Sequence, residues 1–186
     1  FNIGDIVIIP EWIDYKPLGG DIPVYLNPGL AFGTGTHETT SMCMHLMQKL
    51  NLKNKRVLDF GCGSGILGIC AHKLGASDVL FADNDEQAIT ATAYNCKING
   101  ITAPQLVCDD VRKIKEPADV VIANITADVL IAVAPIIKSA LKNGGYAVIS
   151  GIISAKADEV QTEYSKDFTL ESVERKNEWS AFIFKL

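Results

Sequence analysis

The fold is decided by residues 57–65, which read Val-Leu-Asp-Phe-Gly-Cys-Gly-Ser-Gly. A short apolar run leads into three alternating glycines, and residues 66–74 follow with apolar side chains at helical spacing. A strand that passes through a glycine turn into a helix lets backbone groups and the helix N-terminus approach a ligand closely. Residues 57–65 therefore predict the ligand-binding turn of an α/β fold.

The spacing of the glycines narrows the kind of ligand. Ile66 occupies the last place of the dinucleotide pattern G-x-G-x-x-G, so that pattern is not met. Asp59, two residues before Gly61, would repel a diphosphate but suits a ligand that carries an ammonium group and hydroxyls. S-adenosylmethionine is such a ligand, and we expect it as the cofactor. The alternative for Asp59 is a carboxylate that only caps the turn.

Composition bounds the class of protein. The chain has 186 residues, 48% of them apolar, which fits one globular domain with its own core. A net charge of −5 disfavours a general nucleic-acid surface, and no apolar run approaches the length of a membrane helix. The five cysteines form no C-x-x-C pair, so we expect reduced structural thiols and no metal site. We expect no signal peptide, and because the first residue is Phe1 rather than Met, we expect the chain to be part of a longer protein.

Strand-like and helix-like patterns alternate from residue 56 onward. We expect strands at residues 56–60, 79–83, 105–108, 119–123 and 146–150. We expect helices to begin near residues 66, 85, 126 and 154. Pro135 predicts a break or a fresh start in the helix that begins near residue 126, because proline lacks an N–H. Two last runs, 168–173 and 179–184, predict a hairpin, so a mixed sheet with a final antiparallel strand is expected.

The N-terminal part differs in character from the rest. Short strand-like runs at residues 5–9 and 24–26 flank a link rich in proline and glycine, and residues 39–50 look helical. We expect residues 1–40 to supply strands and a cofactor-covering loop packed on a main domain of residues 41–186.

Polar residues follow the ends of the predicted strands, where doubly wound sheets bind ligands. Asp83 can accept hydrogen bonds from both hydroxyls of a ribose, and Asn84 lies beside it. Asp109 and Asp110 are placed to meet an adenine amino group, although a solvated turn explains them as well. Asn124 can accept a hydrogen bond from a substrate amine or can serve only to form a turn.

The loop at residues 29–40 is the second distinctive stretch. It combines Gly33 and Gly35 with the apolar Phe32 and several threonines, features that a lid over a bound ligand explains. A phosphate-binding loop is disfavoured because the Gly-Lys-Ser/Thr ending is missing. His37 is a candidate general base, and a role as a helix cap is the alternative.

Three motifs together resemble the catalytic domain of the ribosomal protein L11 methyltransferases of the PrmA type. They are Asn-Pro-Gly-Leu-Ala-Phe-Gly-Thr-Gly-Thr-His-Glu-Thr-Thr at 27–40, the glycine turn at 59–65 and Ala-Asn-Ile at 123–125. The glycine turn marks class I methyltransferases broadly, whereas the loop is much more specific. The resemblance covers nearly the whole chain, and it implies a Rossmann-like seven-stranded mixed sheet with helices on both faces and S-adenosylmethionine as cofactor.

Residues and resemblance together give the candidate site. The resemblance implies cofactor contacts at Thr40, Gly61, Asp83 and Asn124. The expected cofactor-binding residues are Phe32, Gly33, Thr34, Thr40, Asp59, Gly61, Gly63, Gly65, Asp83, Asn84, Asp110 and Asn124. The expected catalytic residues are Asn124 and His37.

The resemblance also implies the reaction, which is methyl transfer to an amine of a large-subunit ribosomal protein. That amine is a lysine side chain, an N-terminal amine or both. We expect the family's N-terminal domain, which docks the substrate, to be absent from this chain, and Thr126 stands where the family often has leucine. Three alternatives stay open: a same-fold methyltransferase for another protein, RNA or small molecule, a non-catalytic S-adenosylmethionine-binding module, and an NAD-dependent oxidoreductase. We expect a cytoplasmic protein with no membrane or direct nucleic-acid partner.

Overall fold

The computed structural model describes residues 1–27, 29, 37–109, 114 and 117–186. The strands are β1 (Asn2–Ile3), β2 (Ile6–Pro10), β3 (Ile22–Leu26), β4 (Arg56–Phe60), β5 (Asp78–Asp83), β6 (Gln105–Cys108), β7 (Ala118–Asn124), β8 (Leu141–Ile153), β9 (Thr169–Lys176) and β10 (Trp179–Lys185). The helices are α1 (Glu38–Met47), α2 (Ile66–Lys73), α3 (Glu86–Ile98), α4 (Ala127–Ser139) and α5 (Ala157–Tyr164), with a 3-10 turn at Ser154–Lys156 before α5.

Seven of these strands form one mixed sheet in the order β6-β5-β4-β7-β8-β10-β9. Strands β4 to β8 pair in parallel, and β10 runs antiparallel to both β8 and β9. The expected mixed sheet, with its last strand antiparallel and a closing hairpin, is therefore confirmed. Since β7 lies beside β4, the chain reverses its direction of winding there, which is where such sheets bind ligands.

The two faces of the sheet build two separate cores. Successive side chains of a strand point to opposite faces, so Val57 joins one apolar cluster and Leu58 the other. Helices α1, α2 and α3 cover the Val57 face, and α4 and α5 cover the Leu58 face. Because both faces are covered, strands such as β7 are almost wholly apolar, as the sequence predicted.

The N-terminal residues form a small second sheet in the order β1-β2-β3, with β2 and β3 parallel. Strand β1 was not expected from the sequence, because it is only two residues long. The main-chain N–H of Tyr25 donates to Asn99 Oδ1 at the end of α3 at 2.9 Å, which ties this sheet to the larger domain. The boundary expected at residue 40 stays a prediction, and α1 spans it.

The expected break at Pro135 is wrong, because α4 runs through it from Ala127 to Ser139. A proline inside a helix costs about 3 kcal/mol. Leu130 and Ile137, on the other side of α4, are fully buried, and each such side chain contributes about 1.5–3 kcal/mol by leaving water. Burial of this face therefore offsets the cost of the proline, whose own position is exposed.

Several boundaries also differ from expectation: β3 begins at Ile22 rather than at residue 24, and β9 ends at Lys176 rather than at residue 173. Strand β8 begins at Leu141 rather than at residue 146 and ends at Ile153 rather than at residue 150. Helix α1 ends at Met47 rather than at residue 50, and the helix expected from Ser154 begins as a 3-10 turn. Within the described residues, none of the helices is long and apolar enough to cross a membrane.

Candidate functional site

The glycine turn after β4 has a backbone that glycine alone adopts without strain. Gly61, Gly63 and Gly65 have φ of +74°, +55° and +79°. A Cβ on Gly61 would lie 2.7 Å from Cγ2 of Ile125, and one on Gly65 would lie 2.8 Å from Cγ2 of Thr92. Space and conformation both require glycine at these two positions, so the turn brings bare backbone to the edge of the sheet.

Asp83 lies at the carboxyl end of β5, next to this turn. Its Oδ2 accepts a hydrogen bond from the N–H of Gly63 at 2.9 Å, and its Oδ1 accepts one from the N–H of Asp85 at 3.1 Å. Each carboxylate oxygen has about two acceptor sites, so each keeps one for a ligand hydroxyl. The backbone bonds hold the carboxylate in one orientation toward the turn.

A cavity of about 500 Å³ opens at this edge of the sheet. We call it the first cavity, and it is lined by Phe60, Gly61, Ala82, Asp83, Asn84, Asp109, Ile125, Val129, Ala132, Val133 and Ile136. One wall is formed by the strand ends and carries the polar groups, and the other is formed by exposed and half-exposed aliphatic side chains of α4. Among the described lining residues there is no lysine or arginine, which disfavours a diphosphate ligand.

Asp59 lies behind the turn. It is 1% exposed, and its Oδ2 accepts a hydrogen bond from the N–H of Gly68 in α2 at 2.8 Å. Removal from water raises the pKa of this carboxyl to about 7, although the bond from Gly68 acts in the opposite direction. Asp59 is not among the residues that line the first cavity, so its direct contact with a ligand stays a prediction.

Asn124 ends β7 and is bonded to α1. Its Nδ2 donates to Oγ1 of Thr40 at 3.1 Å, and Thr40 is 1% exposed. In this orientation Oδ1 is the atom of the amide that is left to accept a hydrogen bond. The structure thus brings together two residues that the sequence placed 84 positions apart.

A second cavity, of about 340 Å³, adjoins Asn124. It is lined by His37, Thr39, Asn124, Ile125, Thr126, Ala127, Asp128, Gly151, Ile153, Lys156 and Trp179. Ile125 lines both cavities and therefore lies between them. The rings of His37 and Trp179 meet edge to face, with centroids 5.0 Å apart.

Trp179, Ile125 and Asp128 were missed by sequence reasoning. Trp179 begins the last strand of the chain, far in sequence from the glycine turn, so only the sheet order brings it to this edge. The available signal was an aromatic residue directly after a short polar link, and that signal says nothing about a site.

His37 is the N-cap of α1. Its Nδ1 accepts a hydrogen bond from the N–H of Thr39 at 3.4 Å and lies 2.9 Å from Oγ1 of the same residue. A neutral imidazole has one lone pair for a proton, and here that lone pair is engaged by the helix end. Proton acceptance by His37 would therefore compete with its capping role, and its role as a base stays a prediction.

Several expected site residues lie outside the described residues: Phe32, Gly33, Thr34 and Asp110. Asp109, the neighbour of Asp110, lines the first cavity. Four of the five cysteines are buried and Cys108 is exposed. Within the described part of the chain, no three His, Cys, Asp or Glu side chains group as a metal site would need.

The fold and the site define a class of protein. A seven-stranded sheet in this order, with an antiparallel β10 and a glycine turn after β4, is the fold of the class I methyltransferases. This chain shares its fold with the N-methyltransferase NodS of Bradyrhizobium japonicum, which was solved with S-adenosyl-L-homocysteine. The TM-score is 0.65, with 13% identity over 83% of this chain and 90% of that one. At that identity the likeness concerns the fold alone.

The chain belongs to the family described as ribosomal protein L11 methyltransferase (PrmA), whose model matches residues 1–186. It is 41% identical over 181 residues to the ribosomal protein L11 methyltransferase of Caldanaerobacter subterraneus subsp. tengcongensis, covering 97% of this chain and 59% of the relative. It is 45% identical over 180 residues to that of Haemophilus influenzae, covering 96% and 60%. The crystal structure of the ribosomal protein L11 methylase from Lactobacillus delbrueckii subsp. bulgaricus matches with a TM-score of 0.91 and 33% identity, over 97% of this chain and 94% of that one.

The chain thus spans about 60% of the length of these curated relatives. The family expected from the three motifs is confirmed.

Proposed function

We propose that this chain carries the catalytic part of an S-adenosylmethionine-dependent protein N-methyltransferase whose substrate is ribosomal protein L11. The methylated groups are amines, from lysine side chains, the N-terminus or both. The proposal is supported by membership of the family and by the names of relatives that are 41% and 45% identical. The chain corresponds to part of those relatives, so the experiments below address its own activity.

The observation that carries the proposal is the first cavity. Asp83 offers one free acceptor site on each oxygen for the two ribose hydroxyls, and Gly61 lets the ligand approach the backbone. The aliphatic side chains of α4 supply an apolar surface for a flat adenine ring. S-adenosylmethionine has a ribose, an adenine and cationic groups but no phosphate, which agrees with a described lining that contains carboxylates and no cation.

The second cavity is the proposed acceptor site. When bound, the cofactor supplies an activated methyl group, which an amine lone pair can take directly from the sulfonium. The carbonyl oxygen of Asn124 can accept a hydrogen bond from a neutral substrate amine and so orient the lone pair of the amine nitrogen toward the methyl group. A neutral amide is too weak a base to remove the proton that makes the amine unreactive.

That proton is the main obstacle to the reaction. A lysine with a pKa near 10.4 is deprotonated only about 0.04% of the time at pH 7, a cost of about 4.6 kcal/mol, and an α-amine costs about 1 kcal/mol. The half-buried wall formed by Trp179 and Ile125 favours the uncharged amine by removing water from it, whereas Asp128 in the same lining favours the charged form. We propose that solvent takes the proton, since Nδ1 of His37 already serves α1.

Binding and transfer are tested in sequence. Titration calorimetry of the chain with S-adenosylmethionine should show binding, and titration with NADH should show none. Asp83→Asn should weaken binding about tenfold to a hundredfold, since a charge-assisted hydrogen bond contributes about 1.5–3 kcal/mol. Asp85→Asn is the matched control, because Asp85 caps α3 by accepting from Gln87 and does not line the first cavity. Tight binding of NADH would overturn the proposal.

Transfer is then measured with labelled cofactor and purified ribosomal protein L11. Asn124→Ala should lower the rate of transfer more than it weakens cofactor binding. Binding without transfer to L11, but with transfer to another component of a lysate, would identify a different substrate. Binding without any transfer would identify a non-catalytic module. We further propose a cytoplasmic location, where ribosomal proteins are made, with no membrane or nucleic-acid partner.

A further inference from the structure

A row of buried polar side chains runs along α3 to the residue that caps its C-terminal end. Thr92, Asn95 and Asn99 are 0%, 0% and 7% exposed, and their spacing of three and four residues places them in one row along the helix. Buried polar groups are stable only when they are hydrogen-bonded, so the partners of this row show what it holds in place.

Two members of the row bind carbonyl groups of the glycine turn. Thr92 Oγ1 donates to the carbonyl oxygen of Gly63 at 3.0 Å, and Asn95 Nδ2 donates to that of Ser64 at 2.8 Å. A peptide group is planar and trans, so a carbonyl held on the α3 side fixes the direction of the N–H of the next residue. The row therefore sets the orientation of the backbone of the turn.

The same row also binds the end of β3. The N–H of Asn27 donates to Asn95 Oδ1 at 3.1 Å. Asn99 accepts from the N–H of Tyr25 at 2.9 Å and donates from Nδ2 to the carbonyl of Tyr25 at 2.7 Å. Both asparagines thus hold the chain at β3, and Asn95 is the one of the two that also binds the glycine turn.

We propose that Asn95 is a positioning residue that couples the glycine turn to the carboxyl end of β3. A ligand bound at the turn then also favours the ordered backbone of residues 25–27. By linkage, ordering of these residues raises the affinity at the turn by the same factor by which the ligand favours their ordering. The first half of this inference is a property of the protein alone. The second half depends on the proposed function, in which the ligand is S-adenosylmethionine or its product.

The two asparagines provide a matched pair of variants. Asn95→Asp and Asn99→Asp both keep the oxygen that accepts from the N–H of Asn27 or Tyr25, and both lose the NH₂. The NH₂ of Asn95 donates to Ser64, whereas that of Asn99 donates to the carbonyl groups of Tyr25 and Asn95. Only Asn95→Asp loses the bond to the turn. We expect its Kd for S-adenosylhomocysteine to be about tenfold above that of Asn99→Asp, the change that loss of one buried hydrogen bond produces.

Amide hydrogen exchange measures the coupling itself. In the wild type and in Asn99→Asp, S-adenosylhomocysteine should slow exchange both at residues 63–65 and at residues 25–27. In Asn95→Asp it should slow exchange at residues 63–65 only. If Asn95→Asp does not fold, Asn27→Pro removes the N–H donor from the other end of the link. Asn27→Ala, which keeps that N–H, is its control. S-adenosylhomocysteine should fail to slow exchange at residues 25 and 26 in the proline variant only.

Two results would overturn the inference. One is an equal Kd together with equal protection at residues 25–27 in Asn95→Asp and Asn99→Asp. The other result applies if the wild type does not bind S-adenosylhomocysteine, in which case the proposed function fails. Exchange of the ligand-free protein at residues 63–65 then decides, and equal rates in the two variants would refute a role for Asn95 in positioning the turn.

Discussion

Asp59→Asn should change how the stability of the ligand-free protein depends on pH. The carboxyl of Asp59 has a pKa of about 7 in the folded chain, against 3.8 for an ordinary aspartate, because it is removed from water. Between these values the folded protein holds one more proton than the unfolded chain, so the free energy of unfolding falls as pH rises. The neutral carboxyl thus makes its full contribution to the free energy of unfolding below about pH 4, and this contribution is lost by about pH 7.

Each pH unit in that window corresponds to about 1.4 kcal/mol, so the wild type should lose about 3 kcal/mol between about pH 5 and pH 8 through this group. The amide that the substitution introduces can still accept from Gly68 and does not ionise, so the variant should lack this slope. Urea unfolding at several pH values measures the difference. Asp158→Asn, at an exposed position on α5, is the control and should behave as the wild type. Parallel pH profiles for Asp59→Asn and the wild type would refute the argument.

Three further substitutions test the packing that supports the site. Gly61→Ala should lower the free energy of unfolding by about 2–4 kcal/mol in chemical denaturation, because its Cβ would lie 2.7 Å from Ile125 at a φ of +74°; an unchanged midpoint would contradict the geometry of the turn. Pro135→Ala should raise the free energy of unfolding by about 2 kcal/mol, since it restores a helix hydrogen bond at an exposed position, and a loss of stability would show that the proline does not strain α4. Tyr164→Phe should cost about 1 kcal/mol in the same assay, since it removes a buried hydroxyl that donates to the carbonyl of Leu130 at 3.2 Å, and a neutral result would mean that this bond contributes nothing.

The parts of the fold that the sequence predicted well are those set by local patterns. The strand at 105–108 and the start of a helix near residue 85 were expected at the observed positions, because apolar spacing and capping residues are local signals. The continuous α4 was not expected, since the burial that offsets Pro135 depends on a sheet that local spacing does not describe.

The site shows the same division between local and distant information. Asp83 and the glycine turn could be proposed from the sequence because each directly follows or ends a strand, and their role in binding stays a prediction. Trp179 reaches the second cavity only through the position of β10 beside β8, a pairing of strands that the sequence does not state. The orientation of Asp59 toward Gly68 likewise depends on how α2 packs on the sheet.

Ile125 shows how the fold determines where the two cavities meet. It follows β7 directly, and the two strands that flank β7 each present a glycine to it: Gly61 after β4 and Gly151 in β8. A Cβ on Gly61 would meet its Cγ2, and a Cβ on Gly151 would meet its carbonyl group. A side chain at either glycine would therefore displace the residue that separates the cavities. A direct transfer requires donor and acceptor atoms about 3–3.5 Å apart, which is possible only if the wall between their sites is thin and fixed. The absence of a Cβ at both glycines leaves room for Ile125 in this position. Under the function proposed above, strand order and these two glycines together set how far apart the donor and acceptor sites lie.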